Sequence, residues 1–395
     1  MTGPLSGIKV LSFCRMLSGP YATMLLSDLG ASVVKIEEPG KGDLARGTGP
    51  FIDGVGSYFL SVNRGKKSFT LNLKSKKGRQ IVYRLAEKVD ILMENFRPGV
   101  MERLGFDYPS ISKVNPKIIY GSISGFGQNG PYSQRPAFDM IAQAMGGVVS
   151  ITGEPGKSPV RVGYSIGDIG ASLFSVIGIL AALTEAQRSG KGQHIDVAMM
   201  DCQIALCENA CARYFASGEV PKPLGSRHPL LTPFQIFPTR DGHITLICVK
   251  ADDWDIFCRV TNREDWITDE RFRDNEARLA NYSEFEKLMN DLMRQRTTKE
   301  WMELFDSNGI MCGPVNSIEQ IVTDPHVQER RMIEEVVDNK GRRLKVVGTP
   351  MKFSRTSCRI KKACPELGEH TDRILCDELG LTAGEIEKLY EERII

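Results

Sequence analysis

Apolar residues along the first half of the chain fall into short runs, each followed by a glycine-bearing loop or a helical pattern. "GIKVLSF" (7–13) is a run rich in β formers, and "PYATMLLSDLG" (20–30) has helical spacing that stops at Gly30. "SVVKIEEP" (32–39) predicts a second strand closed by Pro39, and "KSFTLNL" (67–73) alternates as a strand does. Helical spacing returns in "GRQIVYRLAEKV" (78–89), and "DILMENF" (90–96) and "KIIYGSISGFG" (117–127) are again strands that end in loops. This β-α-β rhythm predicts an α/β fold: a Rossmann-like, doubly wound parallel sheet with helices on both faces.

The texture changes after "GQHIDVAMMDCQIALCENACARYF" (192–215). The large domain is therefore expected to run over 1–217. The proline-rich stretch 218–233 is expected to be a linker, and 234–325 a second, smaller α/β domain. The smaller domain would hold a strand at 243–249 and charged helices marked by Trp254 and Trp301. Near the end, 344–354 is strand-like and 382–394 reads as a capped amphipathic helix.

Net charge is only +2, which excludes the basic footprint of a nucleic-acid binder and gives no anchor for an anionic membrane. The longest apolar stretch, Ile169 to Leu183, is 15 residues, short of the ~20 that a membrane-spanning helix needs, and is expected to be a core helix. The opening "MTGPLSGIKVLSF" lacks the basic and apolar regions of a signal peptide, so a cytoplasmic location is expected. The ten cysteines form no CxxC pairs and no metal set, and are expected to be reduced thiols.

Candidate chemistry gathers at the loops. "SFCRMLSGPYATMLL" (12–26) is a strand–loop–helix turn without GxGxxG, and "GDLARG" (42–47), "ENFRPG" (94–99) and "SGFGQNGP" (124–131) lie where open α/β sheets bind ligands. Several such loops on one sheet edge suggest a long ligand. In "GYSIGDIGASLF" (163–174), Asp168 opens the long apolar run between two glycines. An aspartate there is expected to be a helix N-cap, and the same position also leaves a carboxylate open to a close-approaching substrate. None of the five histidines sits in HxxxH or beside a serine elbow.

Taken together, these segments resemble the class III CoA-transferases, the CaiB/BaiF family. The resemblance is carried in order by "SGPYATMLLSDLGASVVKIEEPGKGD", "NRGKKSFTLNLK", "ENFRPGVMERLGF", "PKIIYGSISGFGQNGP", "GDIGASLFSVIGILAAL", "GKGQHIDVAMMD" and "LGEHTDRIL". It implies a C-terminal segment, 326–395, that returns to the large domain, and two chains interlocked in a ring-like homodimer. It implies Asp168 as the catalytic nucleophile. CoA contacts are implied at Arg15, Met16, Leu17, Ser18, Leu71, Lys74, Asn95, Phe96, Arg97, Arg103, Leu104, Phe138 and Met199. Acyl-CoA and small carboxylic acids would be the partners, with no prosthetic group and no metal. The sequence departs from the formyl-CoA:oxalate transferases, which carry glutamine at Leu17, tryptophan at Thr48, arginine at Glu38 and lysine at Pro136.

Two rival enzymes are weighed against the transferase. A 2-methylacyl-CoA racemase of the same superfamily would need a histidine where Phe138 stands, and phenylalanine moves no proton. An NAD-linked dehydrogenase would need the missing glycine fingerprint. Arg46, Arg64 and Arg161 are candidates for holding a second carboxylate of the acceptor, since arginine grips carboxylates with two parallel hydrogen bonds, and equally for binding CoA phosphates or carboxylates of the protein's own surface.

Overall fold

The structure, a computed structural model, describes residues 3–395 apart from 251, 359 and 361. Two compact units are formed: Met1–Val148, Val162–Phe215 and Pro325–Ile395 make the larger, and Val149–Arg161 with Ala216–Asp324 the smaller. The segment Val149–Arg161, assigned by pattern to the large domain, thus belongs to the smaller unit. There the Gly225 N–H donates to the Gly153 carbonyl at 2.8 Å. The proline-rich stretch is likewise part of that unit.

The larger unit is built on six strands: β1 (Lys9–Ser12), β2 (Ser32–Glu37), β3 (Lys67–Thr70), β4 (Ile91–Glu94), β5 (Ile119–Ser124) and β6 (Gln193–Ala198). They lie in the order 3-2-1-4-5-6 and every neighbouring pair is parallel. That is the doubly wound order, with its switch point between β1 and β4. Side-chain alternation feeds two separate cores. Leu11 points to a layer shared with α3 (Lys76–Ala86), while Val10 points to one shared with α1 (Ser18–Asp28) and α5 (Ile166–Ser189).

At 24 residues α5 is long and apolar enough, by length and composition, to cross a membrane. In the fold it is a core helix: Ala171, Val176 and Ile179 are buried with Ile91, Met93 and Ile123 of the sheet. Its outer face is another matter, for Leu173, Phe174 and Ile177 are exposed.

The chain after residue 325 packs within the larger unit. The hairpin of β10 (Ile333–Val337) and β11 (Arg343–Val347) ends well before 354: the Gly348 N–H still donates to the Met332 carbonyl at 2.7 Å, and Pro350 has no N–H to carry the ladder further. Next, α7 (Thr371–Leu379) and α8 (Ala383–Glu391) lie against the open edge of the sheet. The His370 N–H donates to the Ser68 carbonyl at 3.0 Å and the Thr70 N–H to Thr371 Oγ1 at 3.0 Å, so the unpaired groups of β3 are satisfied.

In the smaller unit, β7 (Phe234–Pro238), β8 (His243–Ile247) and β9 (Met311–Pro314) form an antiparallel sheet in the order 9-8-7. Its core is aromatic: Trp254, Phe257, Trp266, Phe285, Trp301 and Phe305 are buried together. The Trp301 indole N–H donates to the Met293 carbonyl at 2.7 Å, which lets the ring be buried at no polar cost.

Candidate active site

The site begins where β1 and β4 end. Asn95 follows β4 and clamps the loop after β1. Its Oδ1 accepts the Arg15 N–H at 2.8 Å, and its Nδ2 donates to the Arg15 carbonyl at 2.8 Å and to Ser18 Oγ at 3.2 Å. One amide side chain therefore spans the switch point and fixes the entry to α1. The approach is close enough to require glycine at position 19, where a Cβ would lie 2.4 Å from Cys14 Sγ.

Beneath that loop lies a buried ionic support that the sequence did not advertise. Lys35 on β2 donates from Nζ to Asp43 Oδ2 at 2.7 Å and to the Cys14 carbonyl at 2.6 Å, and both side chains are 1% exposed. Asp43 Oδ1 accepts the N–H groups of Met16 at 3.1 Å and Ala45 at 3.0 Å. Burial pushes the Asp43 carboxyl up, but the Lys35 ammonium and these N–H groups outweigh it, leaving it below the usual range. Met16, with φ at 63°, is thereby held in the left-handed region.

Asp168 enters from the opposite element. Helix α5 starts at Ile166 with Ser165 in the N-cap position, so Asp168 is its third residue and does not cap it. This corrects the capping expectation: the carboxylate is in the first turn, where the helix end favours negative charge. Asp139 does the anchoring. Its Oδ1 accepts the Gly167 N–H at 2.8 Å and its Oδ2 accepts Gln143 Nε2 at 2.8 Å. A side chain at position 167 would meet Asp139 Oδ1 at 2.9 Å. Ser172 ties this turn to α1, donating within reach of the Ser18 carbonyl at 2.6 Å and the Asp168 carbonyl at 2.7 Å.

The result is a half-buried carboxyl whose pKa is pushed up to about 6. Burial is the main cause and the Asp139 charge adds to it, while hydrogen bonds from the Ser18 hydroxyl and N–H pull the other way. Tyr58, on α2 (Ser57–Asn63), feels the same charges: burial and then the carboxylates of Asp168, Asp139 and Asp43 raise its hydroxyl. A carboxylate that is partly desolvated and still ionised at neutral pH is a competent nucleophile.

Beside the Arg15 loop runs a groove of about 860 Å³. Arg15, Leu71, Lys74, Phe96, Arg103 and Leu104 line it, with the Arg15 guanidinium 5.1 Å from the centroid of the Phe96 ring. The remaining sequence-derived contacts are elsewhere. Met16 and Leu17 lie in the loop after β1, Ser18 opens α1, Asn95 holds that loop from the end of β4, Arg97 is exposed on the turn before Gly99, and Phe138 is exposed at the start of α4 (Asp139–Met145). Met199 is buried in the core beside α5 and does not line the groove.

Two of the three arginines considered for the acceptor have other duties. Arg46 grips Glu37 through Nε at 2.8 Å and an Nη at 2.7 Å, and Arg64 grips the buried Asp28 at 3.2 and 2.6 Å. Neither is available to an acceptor, because each is paired in the fold with a carboxylate of this chain. Arg161 lies in the smaller unit.

A profile of CoA-transferase family III matches residues 5–371. The chain belongs to CoA-transferase family III. It is 37% identical to a succinate–glutarate CoA-transferase of Agrobacterium fabrum, with 95% of each protein covered. An acetyl-CoA:oxalate CoA-transferase of Acetobacter aceti is 38% identical over 89% of this chain and 90% of its own. Among solved structures, a CaiB/BaiF family protein from Brucella suis superposes with a TM-score of 0.87 at 35% identity, covering 96% of this chain and all of its own. The protein is an enzyme that transfers CoA, and the family explains why the loops and the carboxylate came in that order along the sequence.

Proposed function

We propose that this family III transferase moves CoA from an acyl-CoA to a carboxylic acid through mixed anhydrides on Asp168, and that its acids are dicarboxylates. Asp168 itself carries the reading: a carboxyl near pKa 6, tied through Ser18 to the loop that borders the groove. A carboxylate oxygen of Asp168 attacks the thioester carbonyl, the C–S bond breaks, and CoA leaves as thiolate. The acceptor carboxylate then attacks the Asp168 carbonyl of this anhydride and expels the donor acid. CoA thiolate attacks the acceptor carbonyl of the new anhydride, restoring Asp168. No proton is gained or lost over the cycle, and activation is conserved because each intermediate is an anhydride. Water must be kept out for that to hold.

Dicarboxylates are favoured because both curated relatives bear them in their names: succinate and glutarate in one, oxalate in the other. Succinyl-CoA offered with a panel of mono- and dicarboxylic acids should give new CoA thioesters chiefly from dicarboxylates. Activity with monocarboxylates alone would remove the substrate class and leave the transferase.

The functional unit we infer is a cytoplasmic homodimer. Ile177 on the outer face of α5 is 62% exposed, and Phe215 on α6 (Glu208–Ser217) is 81% exposed, apolar surface that a second copy would cover. Sedimentation should give twice the chain mass, and Ile177→Asp with Phe215→Asp should give monomers. A wild-type monomer at micromolar concentration would refute the dimer. All ten cysteines are free thiols, which suits a reducing compartment, and cell fractionation reads the location directly.

A further inference from the structure

The groove has one cation that neither the sequence nor the family resemblance assigned. Helix α8 ends at Glu391, and the chain turns on Arg393, a non-glycine residue at φ 55°. Such a conformation persists only where the surroundings impose it. Here they do so on both sides. The Arg393 N–H donates to the Tyr390 carbonyl at 2.9 Å and the Ile394 N–H to the Leu389 carbonyl at 2.8 Å. The Ile394 carbonyl accepts the Asn72 N–H at 2.7 Å, and the side chains of Ile394 and Ile395 are buried in the core beside the sheet.

This turn docks beside the loop after β3 and presents an exposed Arg393 to the groove that Lys74, Arg15 and Arg103 also line. Among the ion pairs of the described residues Arg393 has no place, whereas the groove's acids are answered: Glu37 by Arg46 and Glu38 by Lys41. The groove therefore carries surplus positive charge, suited to a polyanion.

Position along the sheet says which part of the ligand meets Arg393. Asp168 is tied to the loop after β1, whereas Arg393 is docked on the loop after β3, two strands further out. At about 4.8 Å per strand that is on the order of 10 Å toward the sheet edge. In a CoA thioester the reacting carbonyl and the phosphorylated nucleotide are opposite ends of a long molecule. We infer that Arg393 binds the phosphate monoester at the nucleotide end of CoA, acting with Lys74. This rests on the transferase reading above, since it takes the acyl end to be at Asp168. Arginine suits the task because its planar fork matches phosphate oxygens.

The test compares CoA with dephospho-CoA, which differs only in lacking that monoester, by titration calorimetry. Arg393→Asn removes the charge while asparagine tolerates the left-handed backbone, and Arg393→Lys keeps a charge without the fork. The wild type should prefer CoA. Arg393→Asn should lose about tenfold in affinity for CoA and less than about twofold for dephospho-CoA, with Arg393→Lys between. Equal losses on both ligands, or none on either, would overturn the assignment while CoA binding by the wild type kept the transferase reading intact. A wild type that binds neither ligand would overturn both.

Discussion

Asp168→Ala is expected to abolish CoA transfer: turnover should fall by at least about 10⁴-fold, and hydroxylamine should no longer capture a hydroxamate at this position. The magnitude follows from the role, since a lost covalent nucleophile leaves no second route through an anhydride. In the wild type, acyl-CoA with hydroxylamine should give the hydroxamate on Asp168, visible by mass spectrometry. Activity should also rise with pH around a midpoint near 6, where the raised carboxyl ionises.

The same residue makes a prediction about stability with the opposite sign. Its folded pKa of about 6 lies above the ordinary value of 3.8, so its contribution to stability is complete below the ordinary pKa and is lost as pH rises through 6. At neutral pH the buried charge is a net cost. Asp168→Asn should therefore be dead but more stable, by up to about 2 kcal/mol at a pH near 8, and close to wild type in acid. A variant that is dead because it is unfolded would show the reverse. An active Asp168→Ala with normal kinetics would end the anhydride mechanism.

The second large effect lies under the site. Lys35→Met should cost about 3–5 kcal/mol, because it leaves the Asp43 carboxylate buried without its ammonium. Asp43 also holds the Met16 N–H, so the same change should loosen the loop that carries Arg15 and weaken CoA binding. Adding Asp43→Asn should restore part of the stability: the amide oxygen still accepts the Met16 and Ala45 N–H groups, and position 43 no longer holds a buried charge without its partner. Chemical denaturation of the wild type and both variants reads this directly. A loss under about 1 kcal/mol in Lys35→Met would mean that water reaches the pair.

Both predictions turn on groups of very different visibility. Asp168 stands out in the sequence because it opens an apolar run and is set between glycines, although its place as the third residue of α5 required the helix start at Ile166. Lys35 is a charged residue within "SVVKIEEP", a strand pattern whose charges look like an outer face. Only the path of the loop at Asp43 turns it into a buried ion. Tyr58, Asp139 and Ser172 were missed for a similar reason: each lies in an ordinary helical segment and gains meaning from its neighbours in space.

By itself the sequence determined what depends on local order. Period-two and helical spacing dictate the parallel sheet and its two cores, and the run of loop motifs is specific enough to indicate the family. The tertiary structure decided partnership. It bound Arg46 to Glu37 and Arg64 to Asp28, placed the carboxyl of Asp139 against the turn that carries Asp168, and brought Arg393 into one groove with Arg15. The physical reason is that periodicity is written in neighbouring residues, whereas an ion pair or a ligand groove depends on where the folded chain returns. Whether a charge binds substrate or holds the fold together depends on which opposite charge that return supplies.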